Sequence, residues 1–335
     1  MKRRRFLNDS IKAGSIIPAL GASAVVPVVA GQMDSTKPLH PQMPGNEVVI
    51  EKFTEGKPHT GKVLAAIQPH CDDIAIFAGG TVAKLIAEGY TGYMIRTSND
   101  DATGAGATVG EQVLNNEIAN DATAAALGLK KVYNLGYRNH RMEEYNIQEI
   151  KGRLIFLFRL LKVDTIICYD PWSSYEENPD HYVTAKAVEA ACWEAASRDY
   201  PEQLEVVQPH GVREKYYFAR GPQLVNRVVD ISRFVDTKVQ SNVVIKSQGP
   251  GGDAGANLRK RLAAEGKSLS ILGKDDDTAN FNYVKHFMLD IDSDHLRGVP
   301  SDKEIGKKYG LEWAEQFHYI GPTNSKIPDY IKRNS

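Results

Sequence analysis

The apolar run Val63-Leu64-Ala65-Ala66-Ile67 leads without a break into Gln68-Pro69-His70-Cys71-Asp72-Asp73-Ile74, and the helix-forming stretch Thr81 to Glu88 leads away. This passage constrains the fold more than any other. It reads as a buried strand, then a turn that includes Ala78-Gly79-Gly80-Thr81, then a helix. The alternation continues downstream. Tyr93-Met94-Ile95 reads as a short strand, Glu111 to Leu127 as a helix stopped by Gly128, and Lys131 to Leu135 as a strand. Ile147 to Leu161 reads as an amphipathic helix and Val163 to Tyr169 as a strand. A helix over Thr184 to Arg198, a strand over Lys215 to Ala219 and a helix over Thr237 to Lys246 follow. That order predicts an α/β protein, Rossmann-like, with a mostly parallel sheet, helices on both faces and a single main domain.

Open α/β sheets carry their chemistry at the C-terminal ends of the strands. Here one such end bears His70, Asp72 and Asp73. Two adjacent carboxylates in a low-dielectric site repel unless a cation or a proton separates their roles. A divalent metal does this: one Asp binds the ion beside His70, and the other stays free as a base. Imidazole with carboxylate is a common ligand set for catalytic zinc, which needs three protein ligands and an open position for water. An isolated H-x-D-D also suits a solvated surface turn, but the buried strand before it and the Gly-Gly after it argue against that. A second cluster, Asp170-Pro171 and then Asn178-Pro179-Asp180-His181, follows the strand ending at Tyr169. His181 lies near the next helix start and supplies a candidate third ligand, although Asn-Pro-Asp alone is ordinary turn and N-cap chemistry.

Together these segments resemble the PIG-L/LmbE-like family of metal-dependent N-deacetylases, the N-acetylglucosaminyl deacetylase type. That family carries H-P-D-D with a Gly-Gly-Thr turn and a later H-P-D-H; this chain has His70-Cys71-Asp72-Asp73, Gly79-Gly80-Thr81 and Asn178-Pro179-Asp180-His181. Weaker echoes are Glu117 with Ala124-Ala125-Ala126-Leu127-Gly128, Val229-Asp230-Ile231-Ser232 and Ser247-Gln248, and Trp313-Ala314-Glu315-Gln316-Phe317 resembles the family's closing helix. The chain departs from the pattern at Cys71 for Pro, at Ile74 for an acidic residue and at Asn178 for the first His of H-P-D-H, which the family places near the reacting carbonyl. The resemblance implies that His70, Asp73 and His181 hold Zn²⁺ (or Fe²⁺ or another divalent ion) and that Asp72 is the catalytic base. Asn178 then stands in the second catalytic position, with Arg96, Tyr175 and His140 as candidate substrate contacts. The implied activity is hydrolytic removal of acetyl from an N-acetylated amino sugar or glycoconjugate, a non-peptide amide. The alternative is an exported carbohydrate-binding protein of the same fold that has lost turnover. A nucleotide-binding enzyme is disfavoured, because no G-x-G-x-x-G follows the first strand.

Three regions frame this domain. Residues 1–30 hold Lys2-Arg3-Arg4-Arg5-Phe6-Leu7, then a moderately apolar stretch diluted by Gly and Pro, and end in Val28-Val29-Ala30. This reads as a twin-arginine signal peptide, read by the Tat export machinery, so the expected location is the periplasm or cell envelope of a bacterium. The leader carries five cations against Asp9, so of the chain's net charge of −1 the remainder holds −5. No basic surface is implied, and nucleic acid is excluded as a partner. Residues 31–60 read as a linker and entry arm, 61–320 as the deacetylase-like domain and 321–335 as a C-terminal tail. Cys71, Cys168 and Cys192 lack zinc-knuckle spacing and read as buried free thiols. Asp100, Asp101 and the run Asp275-Asp276-Asp277 read as solvated loop residues, and Gly249 to Gly255 as a flexible loop.

Overall fold

The computed structural model describes residues 47–291, 298–322 and 326–335. The leader and most of the linker arm therefore lie outside the described residues. In chain order the elements are β1 (Val49–Glu51), β2 (Val63–Gln68), α1 (Asp73–Ala87), β3 (Thr91–Ser98), α2 (Val109–Ala126) and β4 (Val132–Tyr137). Then come α3 (Ile147–Leu161), β5 (Thr165–Tyr169), α4 (Pro179–Glu194), β6 (Glu214–Phe218), β7 (Arg227–Asp230) and α5 (Val235–Val243). The last elements are α6 (Ala254–Ala264), α7 (Asp276–Asn282), a π-helical segment over Tyr283–Ile291, α8 (Asp302–Lys308), β8 (Ala314–Ile320) and α9 (Ile327–Asn334). No helix among the described residues is long and apolar enough to cross a membrane.

The strands form one eight-stranded sheet in the order β1-β7-β8-β6-β5-β2-β3-β4, parallel except for β8. The central strands β2 and β5 are almost wholly apolar and buried, which is what a sheet covered on both faces demands. α1, α2 and α5 pack together as one group and α3 with α4 as another. The α/β architecture expected from the alternation is therefore the one found. β2 leads on one side to β3 and on the other to β5, so the direction of winding reverses between β2 and β5. In a doubly wound sheet the crevice opens at such a switch point.

At four places the structure adds to or corrects the local expectations. First, Gly79 and Gly80 do not form a turn; they lie inside α1, which already begins at Asp73. Gly is needed there for close approach: a Cβ on Gly80 would come within 2.7 Å of the Ile231 side chain. Second, Trp313 to Phe317 is not a helix but the start of β8. Its aromatic and alternating pattern pairs antiparallel with both β6 and β7. Third, the linker arm enters the sheet, because β1 pairs with β7 and Glu51 bonds Lys84, Arg227 and Tyr216. Fourth, Gly249 to Gly255 is no free loop: at Gly249, with φ of +80°, a Cβ would sit 2.7 Å from Asp72 Oδ2. As expected, the three cysteines are buried and free.

Candidate metal centre and active-site cavity

The end of β2 and the first turn of α1 deliver His70, Asp72 and Asp73; the first turn of α4 delivers His181. The sequence starts both helices here for local reasons. Asp72 stands at the N-cap position of α1 without a capping bond from its side chain, and Asn178 caps α4 by accepting a hydrogen bond from Asp180 N at 3.0 Å, with Pro179 in the first turn. The sheet then brings residues more than a hundred positions apart to one point. His70 Nδ1 and His181 Nε2 are 3.1 Å apart, and the carboxylate of Asp73 lies 3.4 Å from the first and 3.6 Å from the second. All three residues are buried.

Each ligand residue has a polar neighbour on its outward side. His70 Nε2 meets Asp180 Oδ2 at 3.1 Å, and Asp180 is itself held by Asn139, His140 N and Met142 N. His181 Nδ1 lies at ion-pair distance from Glu176 Oε2, 3.1 Å, without hydrogen-bond alignment, and the His181 ring stacks on Tyr169 at 4.1 Å. Tyr169 donates to Asp73 Oδ1 at 2.7 Å, and the backbone of His70 donates to Asp73 Oδ2 at 2.8 Å. Carboxylate-backed histidines are the usual support of a metal site, because they fix the tautomer and raise ligand basicity. The electrostatics agree. Burial opposes charge on His70, yet Asp180 and Asp73 hold its pKa well above the ordinary 6.5. Burial alone would raise Asp73, but His181 and His70 pull it down to about 2. Two facing imidazoles and an ionised carboxylate that draw an extra proton between them are a place a cation fits, and the three ligand atoms lie within 4.8 Å of one another.

Asp72 behaves differently from its neighbour. Burial and then repulsion from Asp73 push it up to about 7, and no side chain among the described residues donates to its carboxylate. It faces a cavity of about 610 Å³ that also receives His140, Asn178, Arg220, Gln248 and Pro250. The two adjacent carboxylates thus have divided environments, one ionised against two histidines and one poised near neutrality.

The other expected site residues separate. His140, exposed and held at φ of +58°, lines the cavity with its ring 6.2 Å from that of His70, but it is not among the clustered ligands. Arg96 is fully buried and does not line the cavity; its guanidinium is taken by Asp100 at 3.2 Å and Asn134 at 3.1 Å. Tyr175 is 70% exposed and also lies outside the cavity wall. Asp100 and Asp101 are buried rather than solvated. Asp100 accepts from Cys71 N, Ser98 and Arg96, and Asp101 accepts from Arg138 and Asn139 N. Cys71 N has a use for that acceptor because, unlike Pro, it carries an N–H that burial must satisfy. Reading the residues missed Glu176, Tyr169, Arg220 and Gln248 as parts of the site. Glu176 sits two positions before Asn178 and Tyr169 ends the expected strand, so proximity was a signal for both; Gln248 had only the weak Ser247-Gln248 echo, and Arg220 had none.

Residues 65–192 match the model of the PIG-L family, described as GlcNAc-PI de-N-acetylase. The diacetylchitobiose deacetylase of Thermococcus kodakarensis is 26% identical over 196 residues, which span 56% of this chain and 71% of that enzyme. The solved structure of N,N'-diacetylchitobiose deacetylase from Pyrococcus horikoshii is similar with a TM-score of 0.60 at 21% identity, over 77% of this chain and 84% of that one. The 4-carboxy-2-hydroxymuconate hydratase from Pseudomonas putida is similar with a TM-score of 0.54 at 14% identity, over 79% of this chain and 98% of that one. The fold is therefore shared by a deacetylase and a hydratase.

Proposed function

On the premise that residues 65–192 form a PIG-L domain, we propose that this protein is a metal-dependent hydrolase that removes acetyl from an N-acetylated amino sugar or glycoconjugate. Because the fold serves more than one reaction, the reading rests on the site. The observation that carries it is the convergence of His70, Asp73 and His181, each backed from outside, with Asp72 left unpaired in the cavity wall beside them. The ion we propose is Zn²⁺, with Fe²⁺ or another divalent cation also suited to a mixed nitrogen and oxygen set.

A divalent cation, when bound, supplies polarisation of the acetamide carbonyl and acidification of water. The chain's own residues do the rest. Asp72, pushed up to about 7, accepts a proton from the attacking water and returns it to the departing nitrogen. Asn178 uses its Oδ1 for the helix cap, which leaves its amide N–H₂ to donate to the carbonyl oxygen as charge develops there. His140 and Gln248 on the rim offer donors and acceptors to sugar hydroxyls. Gly249 and Pro250 close over Asp72 and limit water around it. One water is consumed, the C–N bond breaks, and a free amine and acetate leave.

Export by the twin-arginine route to the periplasm or envelope is part of the same proposal, supported by Arg3-Arg4-Arg5-Phe6-Leu7 and the small residues at Val28-Val29-Ala30. Envelope glycans or imported saccharides are then within reach as substrates. The test is elemental analysis of the purified protein, followed by acetate release from N-acetylglucosamine and N,N'-diacetylchitobiose. We expect about one divalent ion per chain and equal yields of acetate and free amine. Saccharide binding without acetate release from the metal-loaded protein would establish the binding-only alternative instead.

A further inference from the structure

We infer that Ile76 and Phe77 form the recess for the acyl group, and that the Phe77 ring limits the acyl chain this enzyme accepts to about acetyl length. The inference rests on the deacetylase reading and adds to it a specificity-determining residue. Ile76 lies four residues after Asp72 and Phe77 four after Asp73, so both stand on the helix face that carries the base and the metal ligand. Side chains on a helix lean toward its N-terminus, which tilts both apolar groups back toward the two carboxylates. Both are half-buried and line the active-site cavity. The rest of that wall is mainly polar: Thr103, His140, Asn178, Arg220 and Gln248 suit the hydroxyls of a sugar, not a methyl group. Of the other apolar surfaces, the Tyr169 ring is covered by His181, and Pro250 sits on the opposing loop. An acetamide whose carbonyl is directed at the metal ligands and whose nitrogen bears the sugar therefore has, among the described residues, one apolar place for its methyl.

The recess is shallow and stiff. Phe77 stacks nearly parallel on Phe218, with centroids 5.2 Å apart at 8°, and tilts against Tyr169 at 5.7 Å. Ile76, Phe77 and Phe218 also line a separate cavity of only about 20 Å³, whose other walls are Val299, Pro300 and Ile305 together with the polar Gln223, Asp302 and Glu315. That is space for no more than about one water. A longer acyl chain meets a ring that cannot swing aside, whereas removing the ring joins the two spaces.

The experiment compares N-acetyl-, N-propionyl- and N-butyrylglucosamine with wild type, Phe77→Ala and Phe77→Leu, reading amine release. The Asp72→Asn protein, slowed by about 10²–10⁴, reports binding of the same three sugars by calorimetry, with and without Phe77→Ala. One methylene in a tight apolar pocket is worth about 10–200-fold in kcat/KM. We expect wild type to prefer acetyl over butyryl by at least about 10²-fold, Phe77→Ala to shrink that ratio to within about tenfold, and Phe77→Leu to lie between. The binding ratios should move in the same direction. If wild type cleaves all three equally, or if Phe77→Ala melts as a folded protein with the acetyl-to-butyryl ratio unchanged, the acyl recess is wrong while the deacetylase reading stands. If no acylated sugar releases amine at all, both fall together.

Discussion

Asp72 and Asp73 are adjacent in sequence and opposite in role, and the difference comes entirely from what surrounds each carboxylate. Asp73 receives Tyr169 and the His70 backbone and faces two imidazoles; Asp72 receives no side-chain donor among the described residues and opens on the cavity. Asp72→Asn should therefore keep its metal and lose about 10²–10⁴ in rate, the span of a general acid–base group. Asp73→Asn should lose the metal. Elemental analysis of both variants decides the assignment, and the reverse pattern would exchange the roles. Asn178 has two ends with two jobs. Asn178→Ala should cost about 1 kcal/mol through the lost cap and lower kcat by about 10² through the lost donor. Asn178→Asp keeps an acceptor for Asp180 N but has no N–H, so its melting temperature should stay near wild type while kcat falls. Equal kcat in Asn178→Asp and wild type would leave only the cap. His70, Asp72 and Asp73 were legible because they follow an apolar strand directly, and His181 because it opens the helix after the next such strand. Arg96 misled because its position at a strand end said nothing of the Asp100 and Asn134 that enclose it.

Among the elements, α1 bears the most constraint, since it carries the site at its first turn and is fixed from behind. The backbone N–H groups of Gly80 and Thr81 donate to the Glu315 carboxylate at 2.9 and 2.8 Å, and Lys238 balances Glu315 at 2.8 Å and Asp302 at 2.6 Å. Lys238 is completely buried. Lys238→Met would leave two buried carboxylates facing each other without their cation, at a cost of about 3–5 kcal/mol. A urea titration measures it; a midpoint within error of wild type would mean that the cluster neutralises itself by taking up a proton. None of this could be read from the chain. Local pattern gave the α3 boundaries correctly, because its apolar stripe and Asn146 cap are contained within it. It failed at Gly79-Gly80 and at β8, where the deciding contacts come from residues about 80 to 235 positions away.

For the whole molecule, the parallel core was legible because strands β2 to β6 follow one another with helices between them, a pattern that admits few topologies. The outer part of the sheet was not, since β1, β7 and β8 pair across the length of the chain. Export belongs to this scale. Arg3→Lys with Arg4→Lys keeps the charge and removes the paired guanidinium groups, which ammonium does not replace. Fractionation should then find the protein uncut in the cytoplasm; undiminished export would remove the twin-arginine reading. The position of β8 has a temporal consequence. It is the last strand synthesised among those described, yet it lies between β6 and β7. Until it arrives, both neighbours present unpaired edges and the Glu315 tie to α1 is missing. A nascent chain on the ribosome can form the β2 to β6 core early, but it stays sticky and catalytically unanchored until residues near 320 emerge. The slow, long-range closure of that gap should set the rate at which active protein accumulates.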